Sequence, residues 1–203
     1  MTGGLDTVYT LGASADAETF YNGWADGYDA ELAENGYVTP RRCAEALAAH
    51  AMEPTAPLIE FGCGTGLGGV ALQAAGFNTL DGFDISQEML ERARQKALYR
   101  SLGVMDLAKP LEIETGVYQN AAAIGVLNPA FMPPTVLDEM LAALPTEGCL
   151  VVSINDNSAR DGSMETRILE LTEYNIADLV FKDYGEHLPG VDLQSTVYVL
   201  KKR

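Results

Sequence analysis

The sequence predicts an α/β three-layer sandwich. A seven-stranded, mostly parallel sheet lies between helices, with an antiparallel hairpin at its C-terminal end and a helical cap at its N-terminal end. Three observations lead there. From residue 57 onward, apolar runs of strand length alternate with amphipathic runs of helix length, which is the pattern of βαβ units. A glycine-rich loop follows the first apolar run at once. The last two strand-like runs, 177–184 and 195–201, have no helix between them and therefore pair antiparallel, because a parallel pair needs a long crossover.

The elements follow in order. Residues 1–17 are polar and glycine-containing and read as loose chain. Beyond them Tyr21, Trp24 and Tyr28 recur at i, i+3 and i+7, which puts three rings on one face of a helix. A second helix over 41–51 is stopped by Pro54 and Pro57. Residues 57–61 form the first strand, 67–75 a helix ended by Gly76, and 79–84 the second strand. Ser86 caps the next helix, with Glu88 in its first turn where the dipole favours an acid. That helix runs to Lys96, and a weak third strand ends near Met105. Residues 118–126 are a small-residue apolar run of strand length. Thr135 with Asp138 has the spacing of a capping box, and Val136, Leu137, Met140, Leu141 and Leu144 form the stripe behind it. Pro145 and Gly148 end that helix before a strand at 150–154 and a helix over 163–174.

Composition narrows the function classes. The 203 residues carry 29 acids against 13 Lys and Arg, a formal charge of −16. Nucleic-acid binding needs cations to neutralise phosphates, so neither nucleic acid nor an anionic membrane is an expected partner. Cys43, Cys63 and Cys149 are scattered, with no CxxC pair and no histidine at ligand spacing, which suits free thiols in a reducing compartment and no metal site. There is no basic-then-apolar leader and no run long enough to span a bilayer, so the expected location is cytoplasmic.

The informative segment is Glu60-Phe61-Gly62-Cys63-Gly64-Thr65-Gly66. Alternate glycines between a strand and a helix permit a tight turn and a close ligand approach. Asp84 ends the second strand about twenty residues on, where a carboxylate accepts ribose hydroxyls. Loop and acid together predict a site for an adenosine-containing ligand. A second frame, Gly64-Thr65-Gly66-Leu67-Gly68-Gly69, satisfies the dinucleotide pattern G-x-G-x-x-G, but it starts two residues later and runs into the helix.

The acid-x-Gly-x-Gly-x-Gly segment resembles the first motif of class I S-adenosylmethionine-dependent methyltransferases, which are Rossmann-like. Asp84 in Gly-Phe-Asp-Ile-Ser-Gln-Glu-Met-Leu resembles that family's second-strand acid. The resemblance implies that Ile85 and Met89 lie against adenine, and that Asp106, followed by Leu107, accepts from its amino group. Ala123 to Leu127 resembles the fourth-strand exit beside the ligand, and residues 144–148, with substitutions, the Leu-x-Pro-Gly-Gly turn before the fifth strand. Residues 21–29, Tyr-Asn-Gly-Trp-Ala-Asp-Gly-Tyr-Asp, are similar to the opening of many small-molecule members. The nearest branch is the methyltransferase-like group related to a Williams–Beuren syndrome region protein. Residues 1–53 then read as a segment and cap, and 54–203 as the cofactor-binding domain, of a monomer or homodimer. Asn120 stands where the family commonly has Asp, which puts the methionine end of the pocket in question.

The implied reaction is transfer of a methyl group to an O or N atom of a small molecule by in-line displacement, with S-adenosylhomocysteine as product. The expected cofactor contacts are Glu60, Gly62, Cys63 (by its backbone), Gly64, Gly66, Asp84, Ile85, Met89, Asp106, Leu107, Ile124 and Leu127, with Tyr21, Trp24 and Tyr28 as a lid or as plain core packing. For a general base the sequence offers only His187 and Tyr184, in a segment that also reads as a solvated loop. Asn155 and Asp156, after the fifth strand, read either as acceptor contacts or as turn residues. Two other functions stay open: an NAD-dependent oxidoreductase using the later glycine frame, and a binding protein that holds an adenosyl ligand without chemistry.

Overall fold

A computed structural model describes residues 4–8 and 14–203. The sheet has seven strands in the order β3-β2-β1-β4-β5-β7-β6. They are β1 (Leu58–Phe61), β2 (Leu80–Asp84), β3 (Tyr99–Val104), β4 (Asn120–Ala123), β5 (Cys149–Asn155), β6 (Ala177–Leu188) and β7 (Leu193–Lys202). Strands β1 to β5 are parallel to one another; β7 runs antiparallel between β5 and β6. The expected terminal hairpin thus exists, with β6 at the outer edge. The order reverses between β1 and β4, and in open α/β sheets such a switch opens a crevice at the carboxyl ends of the strands.

Central strands covered on both faces should be apolar throughout rather than alternating. Strands β1, β4 and β5 are buried at every residue, and β4 uses alanines to let the layers close in. Seven helices accompany them: α1 (Gly4–Val8), α2 (Ser14–Glu34), α3 (Thr39–His50), α4 (Leu67–Ala74), α5 (Gln87–Gln95), α6 (Val136–Ala142) and α7 (Ser163–Glu173). One core packs α6 and α7, through Leu137, Met140, Ile168 and Leu171, onto Ile59, Ala121 and Leu150. The other packs α3 and α4, through Leu47 and Leu72, with Phe77 onto Leu58, Ala122 and Val151. Helix α5 lies along β2 and β3 and beneath α2.

Several expectations are corrected. Of the stretch expected to be loose, residues 4–8 are helical, and α2 starts at Ser14 rather than near residue 17; the remaining residues of 1–13 lie outside those described. The capping box at Thr135 does not form, because its backbone is already helical and its side chain caps nothing. Ser86 does cap α5, accepting from Met89 N at 3.1 Å. Strand β6 runs four residues past Tyr184, pairing through Glu186 and Leu188 with β7 across a register shift.

Candidate functional site

The glycine loop is a short bridge pinned on both sides. Cys63 N donates to Phe83 O at 2.9 Å, which ties the loop to β2, and Gly66 N closes a turn onto Cys63 O at 2.8 Å. Gly62 has φ +65°, and a Cβ there would stand 2.3 Å from Val126 Cγ2, so only glycine lets the loop pass the exit of β4. Asp84 ends β2 facing that loop. Its two oxygens accept from Gly64 N at 2.8 Å and Ser86 N at 2.9 Å. Burial raises the Asp84 carboxyl above its ordinary range, and the amides of Ser86, Gly64 and Ile85 pull it back. The sequence thus delivers an oriented carboxylate, held by backbone, at the switch point.

Around it lies a cleft of about 700 Å³ including its open mouth. Gly62 and Gly64 form its floor, and Asp84, Ile85 and Met89 one wall. Asp106 and Leu107 come from the segment after β3, and Ile124 from the exit of β4. Tyr21 and Tyr28 of α2 close the top. These ten expected residues therefore meet in one place. Val126, within the segment resembling the fourth-strand exit, also lines it, as do Met105, Phe131 and Met132; these last three carry no sequence signal beyond being apolar near a motif.

The other expected residues stand elsewhere. The Glu60 carboxyl is buried beneath the loop and accepts from Tyr99 Oη at 2.7 Å; it borders a smaller hollow that shares Tyr28, Gly62, Gly64 and Ile124 with the cleft. Burial pushes it up to about 8, Asp84 adds to this, and the Tyr99 hydrogen bond opposes it. Gly66 packs toward Tyr99 and Lys96. The Cys63 amide is spent on β2, the residue borders the same smaller hollow as Glu60, and burial raises its thiol well above the ordinary range. All three cysteines are free and buried. Trp24 Nε1 donates to Glu31 at 2.7 Å while its ring packs between Tyr21 and Tyr28, so it braces the two rings that reach the cleft.

Trp24, Leu127 and His187 line a second chamber that shares Tyr21, Tyr28, Gly125 and Val126 with the first. His187 is not a solvated loop residue; it is a buried member of β6. Tyr184 is 62% exposed and donates to Asp156 at 3.2 Å, away from both spaces. Asn155 Oδ1 accepts from Asn157 N and Ser158 N, which is a turn role, although the residue also borders the second chamber. Asn120 lies at the start of β4, four residues and about 13 Å of strand from Ile124. Its amide holds Glu53 O at 3.1 Å, so the departure from Asp falls at the far end of the sheet. Among the described residues no group of three His, Cys, Asp or Glu side chains is placed to hold a metal ion, and no helix is long and apolar enough to cross a membrane.

The two glycine frames separate here. Gly62 and Gly64 border the cleft, whereas Gly69, the last glycine of the later frame, is inside α4 against the Tyr99 hydroxyl. Residues 58–148 match the family described as methyltransferase domain. The chain is 32% identical over 143 residues to methyltransferase-like protein 27 of Homo sapiens, covering 69% of this chain and 58% of the human protein. It thus spans less than two thirds of that relative's length. Among solved structures, magnesium protoporphyrin IX methyltransferase from Synechocystis, with bound S-adenosylhomocysteine, superposes with a TM-score of 0.69 over 93% of this chain and 99% of that one, at 16% identity. A geranyl diphosphate methyltransferase in complex with S-adenosylmethionine gives 0.65 over 87% and 91%, also at 16% identity. At that identity the likeness is one of fold.

Proposed function

We propose, for a chain that carries the methyltransferase domain over residues 58–148 in a class I fold, that it is an S-adenosylmethionine-dependent methyltransferase acting on an O or N atom of a small molecule. The observation that carries this reading is Asp84, a carboxylate fixed by Gly64 N and Ser86 N at the floor of a cleft that opens at the switch point. The fit is chemical as well as positional. A carboxylate suits a pair of ribose hydroxyls, the Ile85 and Met89 side chains offer an apolar surface to a flat base, and Asp106 offers an acceptor beside it.

S-adenosylmethionine supplies an already activated methyl group, so the protein has mainly to hold and shield. Well-oriented reactants account for roughly 7–11 kcal/mol of barrier lowering. The loop, Asp84 and the β4 exit hold, while Tyr21 and Tyr28 cover the cleft and exclude water. Their ring faces also suit a sulfonium, since a cation over an aromatic face is attracted by its quadrupole. Helix α2 is fastened over the site at several points. Ser86 Oγ donates to Asn22 Oδ1 at 2.6 Å, Lys96 Nζ bridges Asp29 and Thr65 O at 2.7 Å each, and Thr65 Oγ1 donates to Asp29.

Titration calorimetry with S-adenosylmethionine, S-adenosylhomocysteine and NAD tests the reading. Heat is expected with the two sulfur compounds and not with NAD. Asp84→Ala should weaken both by about a hundredfold, the loss of charge-assisted bonds to two hydroxyls. Binding of NAD alone would reinstate the oxidoreductase. Cofactor binding without methyl transfer to any acceptor in a labelled-cofactor screen would favour the non-catalytic binder.

A further inference from the structure

The second chamber ends on a histidine whose proton can be located by counting hydrogen bonds. His187 Nδ1 lies 2.8 Å from Thr39 Oγ1, which lies 3.2 Å from Ser195 Oγ, and Arg42 Nη1 donates to Ser195 Oγ at 3.0 Å. Thr39, His187 and Ser195 are all buried. A guanidinium only donates, so the Ser195 oxygen accepts from Arg42 and its own hydrogen must go onward. Thr39 Oγ1 is its one acceptor among the described residues, and the Thr39 hydrogen then goes to His187 Nδ1. Run the other way, with Nδ1 donating, the chain leaves a buried hydroxyl hydrogen without an acceptor, which buried polar groups rarely tolerate. The ring proton therefore sits on Nε2, which makes no hydrogen bond within the described residues. Burial first, and the Arg42 guanidinium second, hold the imidazole down to about 4, so it is neutral at pH 7.

The geometry around it is fixed. Val38 N donates to His187 O at 3.1 Å, and Tyr37 packs edge-on against the ring at 5.1 Å. Among the described residues, the chamber that His187 borders has no charged side chain in its lining, and it is walled by the rings of Tyr21, Trp24, Tyr28 and Tyr37. It joins the cofactor cleft at Gly125 and Val126. We propose that this chamber seats the methyl acceptor, and that His187 meets it as a fixed Nε2–H donor. The acceptor is then an uncharged molecule with an aromatic or apolar body that presents an oxygen or nitrogen lone pair to the wall opposite the cleft. An ammonium group would meet a donor where it needs an acceptor, despite the overall acidity of the protein. His187 in this state is a positioning residue and not the base.

The identity of the chamber's occupant rests on the cofactor reading above; the state of His187 does not. The protein has two histidines, and His50 Nδ1 faces Ala46 O at 2.8 Å, where it can only donate. Long-range proton–nitrogen correlation on ¹⁵N-histidine protein at pH 7 should therefore show one ring of each tautomer, assigned with His50→Gln. A His187 ring that is charged, or protonated on Nδ1, overturns the proposal. Acetophenone and benzylammonium, titrated with and without S-adenosylhomocysteine, probe the ligand class. The ketone should shift His187 Nε2, at about tenfold lower concentration than the ammonium. Equal or tighter binding of benzylammonium, or no shift with the ketone, overturns the class. His187→Phe should cost the ketone about tenfold and leave S-adenosylhomocysteine affinity unchanged. Failure of S-adenosylhomocysteine to bind at all would sink the cofactor reading instead, while the tautomer spectrum still decides the state of His187.

Discussion

At the scale of single residues, the acid of the first motif is a support under the glycine loop. Glu60 Oε2 takes the Tyr99 hydrogen, and Oε1 fills the space beside Gly68, where a Cβ would come within 1.8 Å of it. Any side chain at position 68 displaces a buried carboxyl, so Gly68→Ala should destabilise by several kcal/mol, as overpacking and a broken buried hydrogen bond add. The protonation of Glu60 gives a sharper test. Its folded pKa, about 8, lies above the ordinary glutamate value of 4.5, so the folded state binds the extra proton between those values. Its contribution is complete below about 4.5 and is lost as pH rises through 8, with a steepest slope near 1.4 kcal/mol per pH unit. His187 has the opposite sign, since a folded value near 4, below the ordinary 6.5, means stability lost as pH falls through 4. Urea unfolding across pH 6.5–9, above the range in which His187 acts, should therefore show wild-type stability declining toward alkaline pH, and Glu60→Gln should flatten that decline. An equal slope in the variant would assign the effect to other groups.

At the scale of elements, the cap is the part whose role the sequence states least clearly. The ring spacing of helix α2 reads either as a lid or as core packing, and the helix is fastened by side chains far apart in sequence, which no periodicity reveals. Glu31 is its keystone. The carboxylate accepts from Gly4 N, Leu5 N and Trp24 Nε1, capping α1 and fixing the indole together. Glu31→Ala should release α1, raise hydrogen exchange in residues 4–8 and in the first turns of α2, and leave exchange in β1, β4 and β5 unchanged. A uniform increase would mean that the cap and the sheet open as one unit. By contrast, β1, the glycine loop and Asp84 are legible because strand, turn and acid are adjacent in sequence and each is constrained by backbone geometry. The end of β6 is not legible. Residues 185–189, Gly-Glu-His-Leu-Pro, have the composition of a turn, and only pairing with β7 makes residues 185–188 a strand and buries His187. The Thr39–His187 contact spans 148 positions, beyond the reach of any local signal.

At the scale of the whole molecule, the parallel order, the hairpin and the position of the crevice follow from alternation and connection rules, whereas the acceptor chamber arises from residues contributed by α1, α2, the β4 exit and the β6 end together. Charge acts at the same scale. With 29 acids against 13 Lys and Arg, acids exceed bases by sixteen, and ion pairs such as Arg41–Glu45 and Arg94–Glu91 are exposed on both sides. Exposed pairs contribute about 0–1 kcal/mol each, whereas a net charge this far from zero strains the compact state by self-repulsion. Screening should then weaken the repulsion more than the attraction. Raising NaCl from about 10 mM to about 500 mM shortens the Debye length from about 30 Å to a few ångströms and is expected to raise the melting temperature by several degrees. Chloride is the appropriate anion, because sulfate strengthens apolar burial by itself and would raise the melting temperature for an unrelated reason. A melting temperature that falls with NaCl would mean that ion pairs outweigh the repulsion. In that case Arg167, bonded to both Asp138 and Glu170 and only a quarter exposed, is the first residue to replace.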